Sequence, residues 1–418
     1  MRTTPYTMRR IASVLLLLSL ALPIARSFAA DDLPQARQVE EALNSHLLVL
    51  NAASLLKQEL ANQRKWNSGS HEFLLNMGTG QRTVGIPREN LREWYVDVQR
   101  PVRIFDKAEI DQEIGRISVA KANLALDDAQ HEAARVLLRL WFVVQREQAT
   151  AQLWQQQVDI LNQQTRMTEK RVQQGDAPKL ELNQMNAAVA QAHVSWQQAL
   201  MRVQLAESDV RRQFAGITFL DTVQPTPPQP ITQDFAFWKD KIFNHNNELA
   251  IVRAETQLQQ RLAQRSRADV VPDPTVGVRV ASDMGGNEKV LSLYVSVPLS
   301  FGLRSATADA MAQQAVMAAN QEAYVQRRLE ADVYAAHTQA VRTFSTWQQA
   351  QSAATAIRNN AALVTKAYQV GESSLSDSLT ARRIALESTL IEYTTQLDAN
   401  EARYRLLIDI HQLWLKEE

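Results

Sequence analysis

The stretch Leu291-Ser292-Leu293-Tyr294-Val295-Ser296-Val297-Pro298-Leu299 decides the fold. Leu291, Leu293, Val295, Val297 and Leu299 alternate with Ser292, Tyr294, Ser296 and Pro298, and this period of two makes a strand with one apolar and one polar face. Upstream, Val276, Val278 and Val280 alternate with Gly277, Arg279 and Ala281, and Asp283-Met284-Gly285-Gly286-Asn287 supplies a turn between the two. The arrangement recurs nearer the start: Trp94, Val96 and Val98 alternate with Tyr95, Asp97 and Gln99, with a partner strand carrying Phe73, Leu75 and Met77. The chain thus offers four strands of about ten residues, the length of a tilted strand crossing a bilayer. A sheet in lipid must close, because an open edge leaves N–H and C=O groups without water. Four strands cannot close, so a membrane reading requires two or three chains to share one barrel. The alternative is a small soluble sheet packed on helices.

The rest of the chain reads as helix. Proline and glycine punctuate structure, and residues 303–418 contain no proline and one glycine, Gly371; residues 107–172 contain no proline and one glycine, Gly115. Both tracts are rich in Ala, Gln, Leu, Arg and Glu, so long helices are expected over 107–172 and 304–370, each about 100 Å at 1.5 Å per residue. Gly175-Asp176-Ala177-Pro178 and Gly371-Glu372-Ser373-Ser374 then turn each into a shorter return helix, near 180–215 and 375–415. Amphipathic stretches at 33–66 and 235–267 complete each half. Two short helices stacked end to end match one long helix, which predicts a tall two-layer wall. Heptad ladders on the return helices (Leu182, Val189, Trp196, Val203, Val210 and Leu379, Leu386, Tyr393, Asn400, Leu407, Trp414) indicate coiled-coil packing.

The plan occurs twice. Gly175 and Gly371 lie 196 residues apart, Pro101 and Pro298 lie 197 apart, and Asn44-Ser45-His46-Leu47 resembles Asn246-Asn247-Glu248-Leu249 at an offset of 202. We therefore divide the chain into a signal peptide (1–30), a first repeat (31–215), a linker (216–232) rich in proline, and a second repeat (233–418). Arg9-Arg10, the apolar run 11–25 and Ser27-Phe28-Ala29-Ala30 have the layout of a secretory leader, expected to be cut after Ala29 or Ala30.

Composition removes several classes. The 418 residues include no cysteine, which excludes disulfides, thiolate metal sites and a cysteine nucleophile. Basic and acidic groups balance at 45 each, and the leader holds four arginines and no acid, so the remainder is mildly acidic and nucleic acid is not an expected partner. The seven histidines include no pair at the i, i+4 spacing that places two ligands on one helix face, so no metal site or cofactor is expected. No phosphate loop, nucleophile elbow or catalytic carboxylate pair is present, and the chain reads as a non-enzyme.

The duplicated plan, the strand ending Val295-Ser296-Val297-Pro298-Leu299, and the two hairpin tips resemble the TolC-type outer-membrane efflux channels over nearly all of the chain beyond the leader. The tips are residues 370–381 and 174–184, each behind a long helix. The resemblance implies a mainly α protein with a small β part. Long helical hairpins would build a periplasmic tunnel, and a homotrimer would pool its strands into one transmembrane β-barrel. It implies a passive duct in the Gram-negative outer membrane, extending into the periplasm. Its partners would be a periplasmic adaptor, an inner-membrane transporter of the resistance-nodulation-division (RND) type or similar, and outer-membrane lipid.

The resemblance also implies a constriction at the hairpin tips. Asp377 matches the position of one lumenal acid of the family; a second such acid falls on Thr380, a departure from the family pattern. Glu181 occupies the equivalent place in the first repeat. For Asp377 and Glu181 the plain alternative is an acid in a first helical turn, favoured by the helix dipole. Gly175 and Gly371 read as C-terminal helix caps, with Asp176, Ala177, Glu372, Ser373 and Ser374 as adaptor-facing tips. Trp94, Val96, Val98, Leu291, Leu293, Val295 and Val297 are the expected lipid-facing strand residues; Trp94, Tyr95 and Tyr294 are candidates for an interfacial aromatic girdle, and ordinary strand propensity explains them equally well.

The segment Gly80-Gln81-Arg82-Thr83-Val84 and the tip Glu181-Leu182-Asn183-Gln184 look most like the heavy-metal branch, which exports cobalt, zinc and cadmium or copper and silver. A drug-efflux or type I secretion duct is the runner-up. A periplasmic coiled-coil adaptor and a soluble coiled-coil scaffold belong to other classes; neither needs two strand pairs with apolar faces.

Overall fold

A computed structural model describes residues 32–69, 71–86, 88–219, 225–299 and 302–415. The expected leader and part of the linker lie outside them. The element order is α1 (Ala36–Ser45), α2 (Leu47–Ser68), β1 (Leu74–Val84), β2 (Glu89–Pro101), α3 (Lys107–Gln173), α4 (Lys179–Gln213), α5 (Phe235–His245), α6 (Asn247–Ala268), β3 (Thr275–Asp283), β4 (Glu288–Ser296), α7 (Leu303–Gln369) and α8 (Leu375–Asp409). The same succession of helix, helix, strand, strand, long helix and return helix runs twice.

The long helices α3 and α7 are both 67 residues, within a residue or two of the lengths read from the glycine and proline pattern. Both return helices are 35 residues. The amphipathic stretches that read as single helices are each broken once, at His46 and at Asn246. Extended backbone there ends one helix, and the side chain caps the next: His46 Nδ1 accepts from the Leu48 amide at 3.3 Å and Asn246 Oδ1 from the Leu249 amide at 2.7 Å. The breaks align at an offset of 200 rather than 202. The second return helix stops at Asp409, short of the expected Leu415, because His411 takes a left-handed φ of 58° and the chain folds back. Burying Leu413, Trp414 and Leu415 against the core offsets that strain.

Packing makes the wall. Near the sheet the helices lie side by side in the order α2, α3, α6, α7; towards the hairpin tips α4 and α8 replace α2 and α6 as neighbours of the long helices. The largest core sits at mid-height, where α1, α3, α4 and α8 meet around Leu137, Trp141, Phe142, Val210, Phe214 and Leu397. Chain segments with no regular structure are sewn to it. Trp141 Nε1 donates to the Asp32 carbonyl at 2.8 Å, and the Asp32 carboxylate accepts from Tyr404 Oη at 2.9 Å and Asn400 Nδ2 at 3.0 Å. Asn400 interrupts the heptad ladder for this purpose; its amide also donates to the Thr226 carbonyl of the linker at 2.8 Å.

The four strands form one antiparallel sheet in the order β1-β2-β3-β4. It joins the wall through a buried ion cluster. Lys107, fully buried, donates to the Val271 carbonyl at 2.7 Å and to Asp273 at 2.8 Å, while Asp111 is held by Arg103 at 3.0 Å and Arg265 at 2.6 Å. Both groupings tie the first repeat to the second.

Candidate functional site: an open sheet and two hairpin tips

Sheet register sorts the strand residues into two faces. Leu75, Val98, Val278 and Leu293 stand in one row across the four strands, and Met77, Val96, Val280 and Leu291 in the next. Val276 and Val295 extend this face towards the wall, and Trp94 closes it at the far end beside Thr79 and Ser282. Among the described residues no helix packs across the sheet, and Leu75, Met77, Leu291, Leu293 and Val295 are more than half exposed. Such an apolar face on a soluble sheet would be covered. The alternative of a small sheet packed on helices finds no support among the described residues. Of the expected lipid-facing residues Trp94, Val96, Val98, Leu291, Leu293 and Val295 share this side, whereas Val297 lies beyond the end of β4; Leu75 and Met77 of β1 and Val276, Val278 and Val280 of β3 share it too, and the first selection left them out. No helix among the described residues is long and apolar enough to cross a membrane.

The opposite face is polar. Asp97 is 2% exposed and touches side chains from all three other strands: Asn76 donates at 3.2 Å, Tyr294 Oη at 2.9 Å, and Arg279 lies at 3.5 Å. The girdle expectation needs correcting here. Tyr95 and Tyr294 sit on this polar face, lying over Gly78 and Gly277, so of the three aromatics only Trp94 stands on the apolar side. The sheet's two outer strands, β1 and β4, each pair on one edge only among the described residues.

At the other end of the wall lie the hairpin tips. Gly175 and Gly371 adopt φ of 81° and 83°. Behind them the amides of Asp176 and Glu372 reach back to the carbonyls of Arg171 (2.8 Å) and Ala367 (2.9 Å), the six-to-one closure of a Schellman cap. The next helices start differently. Ser374 caps α8: its Oγ accepts from the Asp377 amide at 3.1 Å and donates to Asp377 Oδ2 at 2.7 Å. Pro178 precedes α4 with no side-chain cap. Asp377 and Thr380 are exposed, as are Asp176, Glu372 and Ser374; Ala177 and Ser373 are partly covered.

Glu181 is engaged elsewhere. Its carboxylate accepts from Tyr368 Oη at 2.7 Å, and that phenol accepts from Arg171 Nη1 at 3.1 Å. Burial and the adjacent carboxylate push the Tyr368 phenol up, so it stays a donor. One contact thereby joins α3, α4 and α7, tying the first hairpin to the second. Leu375 and Leu379 pack beside it against Val158, Leu161 and Met185.

No family model matches the sequence, and no curated protein matches it. Solved structures do match the whole architecture. The CmeC outer membrane channel of Campylobacter jejuni superposes with a TM-score of 0.74 at 11% identity, over 93% of this chain and 88% of that one. The outer membrane protein VceC of Vibrio cholerae also gives 0.74, at 14% identity, over 90% of this chain and 99% of that one. CusC, described by its transmembrane channel formation, gives 0.69 at 13% identity, over 92% of this chain and 91% of that one. The fold is that of an outer-membrane channel protomer.

In this channel fold the wall carries one further grouping that sequence spacing did not reveal. His131, His245 and His411 converge at mid-height, with ring centroids 5.4 Å and 5.8 Å apart around His411. They come from α3, from the end of α5 and from the segment after α8, so only the tertiary fold brings them together. No group of His, Asp and Glu among the described residues has the arrangement to hold a metal ion.

Proposed function

We propose that the chain is the exit duct of a tripartite efflux pump, lodged in the outer membrane of a Gram-negative bacterium and passing substrates from periplasm to exterior. The observation that carries this reading is the uncovered apolar face of an open sheet mounted on a helical wall about 100 Å tall. Three copies supply twelve strands, β4 of one pairing with β1 of the next, and the closed barrel leaves no edge in lipid. Four helices abreast per copy then make a ring of twelve, continuing the barrel as a tunnel. The apolar sheet face meets lipid, and Asp97, Arg279 and Tyr294 line the aqueous side.

The duct is passive and not an enzyme. A periplasmic adaptor gathers around the hairpin tips, and an inner-membrane transporter of the RND type or similar supplies the energy. The Glu181–Tyr368–Arg171 contact holds the two hairpins of a protomer together at the narrow end, and three copies of Asp377 place carboxylates there that favour cations. Within this reading the cargo is heavy-metal cations, supported by the segments at 80–84 and 181–184.

Gene deletion tests the reading: growth inhibition by cobalt, zinc, cadmium, copper and silver is compared with inhibition by hydrophobic drugs and detergents. Metal hypersensitivity restored by the gene is the expected result. Drug hypersensitivity with unchanged metal tolerance keeps the duct and overturns the cargo. A purified protein that neither forms a heat-sensitive trimer nor conducts in planar bilayers overturns the duct itself.

A further inference from the structure

Strand alternation sorts charge as well as hydrophobicity at the end of the sheet far from the wall. Glu89 and Glu93 of β2, Asp283 of β3 and Glu288 of β4 alternate onto the polar face, the side of Asp97, Arg279 and Tyr294. Arg82 lies on that face too and is bound to Glu93. The apolar face has the opposite sign. Arg92 stands two residues beyond Trp94, and Lys289 two residues beyond Leu291, in one row with Ser282, Trp94 and Thr79. No acid falls on this side of any of the four strands.

Both cations are exposed, and neither enters an ion pair among the described residues. They are also near one another. With strands about 4.8 Å apart and a rise of about 3.3 Å per residue, the Cα atoms of Arg92 and Lys289 are about 12 Å apart, so two long side chains can converge on one headgroup beside Trp94. The end of the apolar face nearer the wall is different. Its cation, Arg100, lies over the Phe73 ring at 4.8 Å and donates to the His71 carbonyl at 3.0 Å, so the protein itself occupies that guanidinium.

A cation at the edge of an apolar band keeps its stem among acyl chains and its head at the level of the lipid phosphates. Arginine offers paired N–H groups to phosphate oxygens, and lysine a mobile point charge. Because every acid is turned to the polar face, no carboxylate on the lipid side competes for these two heads or repels an anion that approaches them. The outer leaflet of a Gram-negative outer membrane is built of a glycolipid, lipopolysaccharide, whose sugar headgroup carries phosphates.

We propose that Arg92 and Lys289 form a binding site for the phosphorylated headgroup of this outer-leaflet glycolipid, replacing the divalent cations that otherwise neutralise its phosphates. The proposal rests on the duct reading, which puts this end of the sheet at the cell exterior.

The test uses the full-length trimer, delipidated in detergent without divalent cations and titrated with purified lipopolysaccharide; bound glycolipid is followed by native mass spectrometry. The parent is expected to retain it. Arg92→Gln combined with Lys289→Gln weakens binding about tenfold or more, Arg92→Lys combined with Lys289→Arg keeps most of it, and Arg100→Gln leaves it unchanged. Dephosphorylated glycolipid should bind the parent as weakly as the intact glycolipid binds the double glutamine variant. Phosphatidylglycerol, an anionic lipid without the phosphorylated sugars, is expected to compete only at about tenfold higher concentration. Equal affinity in the double glutamine variant and the parent, equally good competition by phosphatidylglycerol, or no binding by a parent trimer that conducts in planar bilayers would each overturn the site. A parent that neither forms trimers nor conducts overturns the duct reading instead. Should the double glutamine variant yield no trimer, Lys289→Gln alone is expected to weaken binding about fivefold, and an unchanged affinity there overturns the site as well.

Discussion

The two hairpin tips have the same backbone and different chemistry. Gly175 and Gly371 close their long helices with the same left-handed turn, and the return helices that follow are equally long. The acids in the first turns, Glu181 and Asp377, occupy matching positions yet do different things. Asp377 folds back on Ser374 and completes a local cap, leaving it at the exposed end of the wall. Glu181 reaches across to Tyr368 of the other repeat. Duplication preserved the turn, and divergence made one tip a self-contained cap and the other a clasp.

Removing the clasp gives the largest expected effect. Tyr368→Phe or Glu181→Ala frees the hairpins at all three protomers and is predicted to raise single-channel conductance severalfold. Asp377→Asn, which leaves the clasp intact, is expected to lower the preference for cations without the severalfold rise in conductance. Equal effects from the two acids would erase the distinction between clasp and cap.

The shared turn gives the next effect. A Cβ at Gly175 or Gly371 meets nothing within 4 Å, so alanine there costs only the left-handed strain, about 1–2 kcal/mol at each site. Thermal dissociation of the trimer should report the same loss for both; a larger loss at one tip would reveal a contact that the turn alone does not explain.

Caps should then separate the tips. Ser374→Ala removes a capping hydroxyl and is expected to cost about 1 kcal/mol, whereas Pro178→Ala removes no side-chain cap and should cost less. Helix-tip protection measured by hydrogen exchange checks this.

The smallest effect is on pH dependence. The Tyr368 phenol is raised above its ordinary value of 10.0, so the stabilisation it contributes is fully present below that value and is lost only as pH rises through the higher folded value. Conductance should therefore stay flat from neutrality to about pH 10. A rise beginning well below that would place the control of the tip elsewhere.

The long helices were legible because their evidence is local. Two tracts nearly free of glycine and proline set the lengths of α3 and α7, and Gly175 and Gly371 marked their ends. The strand faces were legible from a period of two, which set Val276, Val278 and Val280 on one face and Tyr95 and Tyr294 on the other; the selection of lipid-facing residues left the valines out, and the girdle suggestion ran against the alternation for the two tyrosines. Alternation says which residues share a face of one strand; register across strands decides what lies opposite them. The breaks at His46 and Asn246 were harder to see, since an amphipathic pattern continues through them and only the caps betray them. The early end of α8 was hidden because a histidine, not a glycine, takes the left-handed turn.

The sequence by itself determined the secondary structure, its duplication and the apolar and polar faces of the strands, because periodicity and helix breakers act over a few residues and leave their mark in order. Only the tertiary structure decided which groups meet. Glu181 and Tyr368 are separated by 187 positions, Asp32 and Tyr404 by 372, and His131 and His411 come from opposite halves. Their contacts depend on how two 67-residue helices lie against one another, and a small change in that packing would move each pair out of hydrogen-bond or van der Waals range.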